Sequence, residues 1–170
     1  MTNKVIDTIN FQIKAEEESS RLYFAMANWC DNKGYAGSAN YLYVHAEEER
    51  MHMVKLVKYL NERGAIVHTQ ALKEPQNSWE SIKDVFKDVL AHEKIITGYI
   101  NSLFEVCMEE KDYLTSNFLQ WYIQEQVEEE ASARSVLDKL QLASTSQGGL
   151  FHFDKEMGEL AMQAPAGNAQ

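Results

Sequence analysis

The chain has 170 residues, of which 45% are hydrophobic and 25% charged, the size and composition of one globular domain. Its net charge of −10 opposes binding to nucleic acid or an anionic membrane surface and is compatible with collecting cations. Two prolines, two cysteines and no run of roughly 18 apolar residues exclude a linker-rich chain, a disulfide scaffold and a membrane-spanning helix.

The location of the chain is predicted from its first residues and its cysteines. Residues 1–7 lack the apolar stretch of a secretory signal. Cys30 and Cys107 both fall on apolar helical faces. We therefore expect a reducing, cytoplasmic location.

Apolar residues in the first part of the chain recur at spacings of three and four, which is typical of helices with one buried face. The first stripe consists of Ile6, Ile9, Ile13, Glu16, Ser20, Tyr23, Ala27 and Cys30. A turn rich in helix-ending residues follows at 31–37. The second stripe, which ends near Gly64, consists of Ser38, Leu42, His45, Glu49, His52, Leu56 and Tyr59.

The same spacing returns in two further segments. The third stripe consists of Ile82, Phe86, Val89, Glu93, Ile96, Ile100, Leu103 and Cys107. The fourth consists of Leu119, Tyr122, Gln126, Glu129, Ala133, Val136 and Leu140. Four helices of about 28 residues, each about 42 Å long, are therefore predicted.

The connections between these helices predict the topology. Short turns join the first helix to the second and the third to the fourth, so each pair is expected to be antiparallel. The connection over 64–80, which contains Pro75, could reach roughly 53 Å when extended, enough to follow the whole bundle. The fold expected is an all-α four-helix bundle with one long crossover.

A fifth, shorter helix is expected from Leu150 to Leu160, after two consecutive glycines. The tail that follows contains Pro165 and Gly167. We therefore expect one domain over 1–160 and disorder over 161–170.

Polar residues interrupt every stripe near its middle, where a purely apolar core would exclude them. These residues are Glu16, Glu49, His52, Glu93, Gln126 and Glu129. Because mid-helix positions meet at the same height whichever way each helix runs, all six are expected to converge on one layer of the bundle.

Four carboxylates in one buried layer are costly unless a positive charge offsets them. Two Fe²⁺ ions would do so, and carboxylate oxygens with one imidazole suit iron or manganese. Any single glutamate could instead be a stripe edge or a paired charge, and the glutamate runs at 16–18, 47–49 and 128–130 could be solvated faces. Four aligned interruptions favour the metal site.

The other histidines and one tyrosine have simpler interpretations. His45, His68, His92 and His152 are interpreted as structural or surface residues. Of the four, His45 fits this interpretation least well. Tyr23 lies two helical turns after Glu16. It could pack in the core, or its hydroxyl could bond a ligand or oxidant near the metals.

On these residues the chain resembles the bacterial non-haem ferritins, most specifically over 45–52 and 117–130. The resemblance implies a ferroxidase centre in which Glu16, Glu49 and His52 hold one iron. The second iron would share Glu49 and add Glu93 and Glu129. Gln126 and Tyr23 would line the pocket, and Gln126 is also a candidate metal ligand. These seven are the candidate catalytic residues.

The resemblance also implies how the iron is used. Dioxygen or hydrogen peroxide would oxidise Fe²⁺, and ferric oxyhydroxide would be deposited inside a shell of 24 subunits. A third iron site would map onto Glu48, Glu125, Glu128 and Glu129, which could equally form a solvated patch. Two or three irons per subunit are therefore expected.

Two departures shape the expected chemistry. Symmetric di-iron bundles carry a second Glu-x-x-His, whereas the fourth helix has Gln126 and Glu129 at these positions. An oxygen-rich second site should release its ferric product, which favours storage. Haem-binding relatives have methionine at the position of Arg50, so no haem is expected. The alternatives are a di-iron peroxidase or oxygenase with retained metal, and a structural helical bundle without metal.

Overall fold

The helices follow the predicted order in a computed structural model, which describes residues 1–163. They are α1 (Asn3–Asn32), α2 (Ala36–Glu62), α3 (Ile82–Glu109), α4 (Tyr113–Ala143) and α5 (Gly149–Gln163). No strand occurs within this described range. The predicted all-α four-helix bundle with a short fifth helix is confirmed. No helix among residues 1–163 is both long enough and apolar enough to cross a membrane.

The buried apolar side chains form two clusters that lie towards opposite ends of the bundle. One includes Tyr23, Met26, Leu42, Phe86, Val89 and Leu140. The other includes Ile9, Leu56, Ile96, Ile100, Leu103 and Leu119. Between them lie the buried polar residues Glu16, Glu49, His52, Glu93 and Gln126. The interruptions of the four stripes therefore occupy one level of the bundle, with an apolar cluster on either side.

The crossover between α2 and α3 runs along α1 from its first turns to its last. Asn10 donates to the carbonyl of Ile66 at 3.2 Å and accepts from the backbone N–H of His68 at 2.7 Å. Near the other end, the rings of Trp29 and Trp79 meet at 6.1 Å. Because the crossover returns the chain to the end of α1, α3 runs parallel to α2, as the length of this connection predicts.

Local signals set the ends of the helices. Gly34 and Gly64 follow α1 and α2 with φ of 86° and 70°, values that favour glycine over other residues. Ser81 and Asp112 precede α3 and α4, and their side chains accept from the backbone N–H groups of Asp84 and Thr115.

The fifth helix docks on the N-terminal end of α2. Asp154 accepts hydrogen bonds from the backbone N–H groups of Gly37 at 3.0 Å and Ser38 at 2.8 Å, which α2 leaves unpaired. A Cβ at position 37 would lie 1.8 Å from the carbonyl oxygen of Asp154, so only glycine permits this approach. This close contact explains why a glycine stands in the first turn of α2.

The end of α5 differs from the prediction by three residues. The helix continues to Gln163 rather than ending at Leu160, because Leu160 and Ala161 pack against the apolar cluster that contains Phe86. Residues 161–163, assigned to the predicted tail, are therefore helical. The rest of that predicted disordered tail, 164–170, lies outside the described residues.

Candidate metal centre

Three potential metal ligands from α1 and α2 meet in the middle of the bundle. Glu16, Glu49 and His52 each offer one ligand atom, and these atoms all lie within 4.8 Å of one another. Glu49 and His52 are one turn apart on α2, a spacing that places both on the same helical face. The three residues are 1%, 3% and 8% exposed, so the group is closed to bulk solvent.

The α3 side of the same layer is built around Glu93, which is 1% exposed. Tyr23 of α1 donates a hydrogen bond to Oε1 of Glu93. The amide of Gln126, from α4, lies 3.3 Å from Oε2 of Glu93 and 3.2 Å from its carbonyl oxygen. The tyrosine hydroxyl thus faces the candidate centre instead of serving only as core packing.

Glu129 lies at the edge of the layer, with its side chain 15% exposed. Its Oε2 is 3.9 Å from Nε2 of His45, whose Nδ1 is 3.0 Å from the carbonyl oxygen of Tyr41. His45 also packs on Tyr23, with the ring centroids 5.7 Å apart. His45 therefore borders the candidate centre, although the sequence favours a structural role for it.

The carboxyl groups of the layer disfavour one another's negative charge. Burial raises the pKa of Glu16 well above its usual value, and the charge of Glu49 adds to the rise. Burial, together with the charges of Glu93 and Glu129, does the same to the pKa of Glu49. The pKa of Glu129 rises to about 8 through burial and the charge of Glu93. A bound cation would relieve all three groups at once.

Unpartnered oxygens mark where such a cation fits. Oε2 of Glu16 and Oε2 of Glu49 are both buried and have no hydrogen-bond partner. The other oxygen of Glu16 accepts from the amide of Gln12 at 2.8 Å. Since buried polar atoms are nearly always satisfied, two orphaned carboxylate oxygens within one cluster are the arrangement expected of metal ligands.

Three further contacts support this layer, and they were not predicted from the sequence. Gln12 precedes Glu16 by four residues, so the helical spacing alone could have placed it beside the carboxylate. Tyr122 donates to the carbonyl oxygen of His52 at 2.8 Å. The ring of Trp121 meets the ring of His52 edge to face at 5.2 Å. The contacts of Tyr122 and Trp121 fix the backbone and the ring of His52.

The remaining histidines are not among the three clustered ligands, although the ring of His92 packs edge to face on Tyr23 at 6.2 Å. Nε2 of His92 is 2.7 Å from the hydroxyl of Ser19, and burial lowers the pKa of its ring. His68 belongs to the crossover, and His152 is exposed on α5.

The residues of the expected third site lie on the neighbouring surface of α2 and α4. Glu48 has a side chain that is 32% exposed, Glu125 is half-buried and Glu128 is exposed. Glu128 accepts from Gln124 at 3.1 Å. Burial raises the pKa of Glu125. The patch is acidic and open, and it adjoins the buried layer through Glu129.

The family model and the most similar curated proteins all belong to one family. A model of the ferritin family, described as a ferritin-like domain, matches residues 6–143. The chain is 44% identical to a probable bacterial non-heme ferritin-like protein of Haemophilus influenzae, covering 96% of this chain and 99% of that protein. It is 39% identical to the bacterial non-heme ferritin of Campylobacter jejuni, with 95% and 97% covered.

The solved structures agree with the sequence comparisons. An open-pore ferritin from the hyperthermophilic archaeon Archaeoglobus fulgidus is similar to this chain, with a TM-score of 0.91 and 41% sequence identity. The similarity covers 93% of this chain and 98% of the archaeal one.

Proposed function

Since this chain belongs to the ferritin family, we propose that it stores iron and oxidises Fe²⁺ to Fe³⁺ at a di-iron centre in the middle of the bundle. The observation that carries the proposal is the buried cluster of Glu16, Glu49 and His52, in which two carboxylate oxygens have no hydrogen-bond partner. A cluster of this composition suits a hard divalent cation such as Fe²⁺.

The ligands divide between two proposed iron positions. Glu16, Glu49 and His52 would hold the first iron. Glu49 would bridge to the second, which Glu93 and Glu129 would complete. Four carboxylates then face two divalent ions, so the charges within the layer balance. Gln126 is the remaining candidate metal ligand.

The protein contributes to the oxidation by positioning two ions and stabilising the charge that develops on them. It would hold the irons about 4 Å apart, so that one oxidant can take electrons from both. Tyr23 would keep Glu93 in place through its hydrogen bond. Dioxygen and hydrogen peroxide are the proposed oxidants.

The composition of the second position favours release of the product. Gln126 and Glu129 stand where a symmetric di-iron site has a second Glu-x-x-His. An oxygen-rich position without imidazole should let ferric iron leave for a mineral store. The acidic patch of Glu48, Glu125 and Glu128 adjoins Glu129 and would take a third iron in transit.

The proposal extends to the assembly and its location. The store would be a ferric oxyhydroxide core inside a shell of 24 copies of this chain. The cytoplasmic location and the absence of haem stay predictions. Arg50, at the position expected to exclude haem ligation, has a side chain that is 60% exposed.

The double variant Glu49→Ala, His52→Ala tests the centre. Aerobic addition of Fe²⁺ to the wild type should give a rapid rise in ferric absorbance, equivalent to about two irons per chain. The double variant should lose this rapid phase because both proposed iron positions lose ligands. Stopped-flow absorbance measures the rates.

A matched control is Glu47→Ala, which changes an exposed residue of the same helix. It should oxidise iron at the wild-type rate. If the double variant oxidised Fe²⁺ as fast as this control, the proposed centre would be wrong.

Storage is separated from a di-iron peroxidase or oxygenase by the fate of the iron. Size-exclusion chromatography after loading many irons per chain should show them co-eluting with a large shell. A dimer-sized protein with two tightly held irons and no mineral would favour the enzyme. An unchanged melting temperature on adding Fe²⁺ or Zn²⁺ would favour a structural bundle without metal.

A further inference from the structure

The candidate metal layer is closed on most sides, so its reactants need defined routes. Glu16 and Glu93 are each 1% exposed, and Glu49 is 3% exposed. Two of its members face less enclosed parts of the bundle. Glu129 borders the acidic patch between α2 and α4, whereas Gln126 lies at the inner end of a cavity between α3 and α4.

The two sides differ in charge. The α2–α4 side presents Glu48, Glu125 and Glu128 next to Glu129, an acidic surface that attracts cations such as Fe²⁺. The α3–α4 cavity contains one acid, Glu130, and its Oε2 is paired with Arg134 at 2.9 Å.

The cavity between α3 and α4 has a volume of about 310 Å³, which is room for several molecules of the size of water. Its charged lining residues are Glu130 and Arg134, which offset each other, so the cavity gives no net attraction to Fe²⁺. Aliphatic side chains, among them Val127, form part of the wall, and Asn101 adds a polar group. A small uncharged molecule with hydrogen-bonding groups fits this lining.

The inner end of the cavity reaches the metal layer through hydrogen bonds. The hydroxyl of Thr97 donates to Oε1 of Glu130 at 2.8 Å and lies 3.3 Å from the amide nitrogen of Gln126. The same amide nitrogen is 3.3 Å from Oε2 of Glu93. A molecule that reaches Gln126 is therefore one side chain away from a proposed ligand of the second iron.

We propose that the α3–α4 cavity is the route by which hydrogen peroxide reaches the metal layer, with Thr97 and Gln126 as its hydrogen-bond partners at the inner end. Iron would use the acidic α2–α4 side. This inference rests on the proposed function. In the reaction, two Fe²⁺ each give one electron to one hydrogen peroxide, whose O–O bond breaks. Its two oxygen atoms keep their own two protons, take up two more H⁺ from the solvent and leave as two water molecules, with two Fe³⁺ as the other product.

The variant Val127→Trp tests the route, because Val127 lines the cavity and is 60% exposed, so that a larger side chain can fill the opening without entering the core. Iron oxidation is followed by stopped flow without dioxygen, over a series of peroxide concentrations. The second-order rate constant for peroxide should fall several-fold. Binding of Co²⁺, measured by its visible absorption, should stay at the wild-type level.

Two controls complete the experiment. Ser135→Trp, at an exposed position of α4 that does not line the cavity, should react at the wild-type rate. Val127→Ala, which widens the opening, should react at least as fast as the wild type.

The outcomes separate this inference from the proposed function. If Val127→Trp reacted with peroxide as fast as Ser135→Trp, the route would be wrong although the wild type still oxidised iron. A loss with dioxygen alone would also overturn the assignment to peroxide. A wild type that fails to oxidise Fe²⁺ with either oxidant would instead contradict the proposed function.

Discussion

At the residue scale, the surroundings of Glu49 disfavour its negative charge. The side chain is buried, its Oε2 has no hydrogen-bond partner, and burial with the charges of Glu93 and Glu129 raises its pKa. Burying an unpartnered polar group reduces the stability of a fold. The layer that would bind iron therefore destabilises the bundle when no metal is bound.

We expect Glu49→Gln to raise the free energy of unfolding of the metal-free protein by about 1–3 kcal/mol, because glutamine keeps the shape without the charge. The same variant should lose most of the rise in melting temperature that Zn²⁺ gives to the wild type. Chemical denaturation in a chelator and thermal melts with added Zn²⁺ measure the two effects.

Glu47→Gln is the matched control, since the side chain of Glu47 is 79% exposed and lies 4.0 Å from Arg50. It should change the free energy of unfolding by less than about 0.5 kcal/mol and leave the effect of Zn²⁺ intact. A Glu49→Gln variant less stable than the metal-free wild type would contradict this account of the layer.

The sequence indicated the candidate metal ligands better than the residues that hold them in place. Glu16 and Glu93 stand out because a charged residue on an apolar stripe is conspicuous. Gln12 does not stand out, because a glutamine is common on a helix edge, and His45 was interpreted as a structural or surface residue although it lies on the second stripe. Their roles depend on distances between helices, which periodicity within one helix does not contain.

At the scale of the elements, Asp112 joins the start of α4 to the end of α2. Its Oδ1 accepts from the backbone N–H of Thr115 at 3.1 Å, and the guanidinium of Arg63 lies 3.2 Å away. Burial opposes the ionised form, but the hydrogen bonds from Thr115 and Arg63 outweigh it and lower the pKa of Asp112.

We expect Asp112→Asn to reduce the free energy of unfolding by about 1 kcal/mol at neutral pH, because asparagine can cap α4 but lacks the charge that faces Arg63. A lowered pKa means that this contribution is complete above the unfolded value of about 3.9 and is lost as pH falls through the folded pKa. The difference from the wild type should therefore hold near neutral pH and shrink below about pH 4.

Urea unfolding of both proteins across this pH range measures the difference. Asp138→Asn, at an exposed position of the same helix, is the comparison variant and should change little at any pH. A difference between Asp112→Asn and the wild type that grows in acid would have the wrong sign for this interaction.

Periodicity was sufficient to predict the four long helices, and the length of the crossover was sufficient to predict their directions. The predicted burial of single residues was less accurate. Val5, which the predicted stripe omits, is fully buried, whereas Ile6 of that stripe is only partly buried. The last turn of α5 was missed because its packing partners come from distant segments.

At the scale of the whole molecule, one end of the bundle exposes apolar side chains around the turn between α3 and α4. Met108, Tyr113 and Leu114 are 47%, 62% and 70% exposed. Exposed apolar groups that lie together in the chain commonly mark a surface that a partner covers. The proposed shell would cover them with neighbouring copies of this chain.

We expect Leu114→Asp to keep the helical circular dichroism of the wild type but to shift the protein from a large assembly to smaller species in light scattering. A charge buried at a subunit contact is costly. Leu114→Met, which keeps an apolar side chain, should assemble normally. A Leu114→Asp variant with the full mass of the wild type would exclude this surface from the contacts.

The unfavourable charge of the metal-free layer has a consequence for the lifetime of the protein. A bundle that is stabilised by its own cargo opens more often when it is empty, and proteases act on opened chains. Newly made subunits would therefore persist where ferrous iron is plentiful and be degraded sooner where it is scarce. The amount of protein would follow the supply of metal without any dedicated regulator.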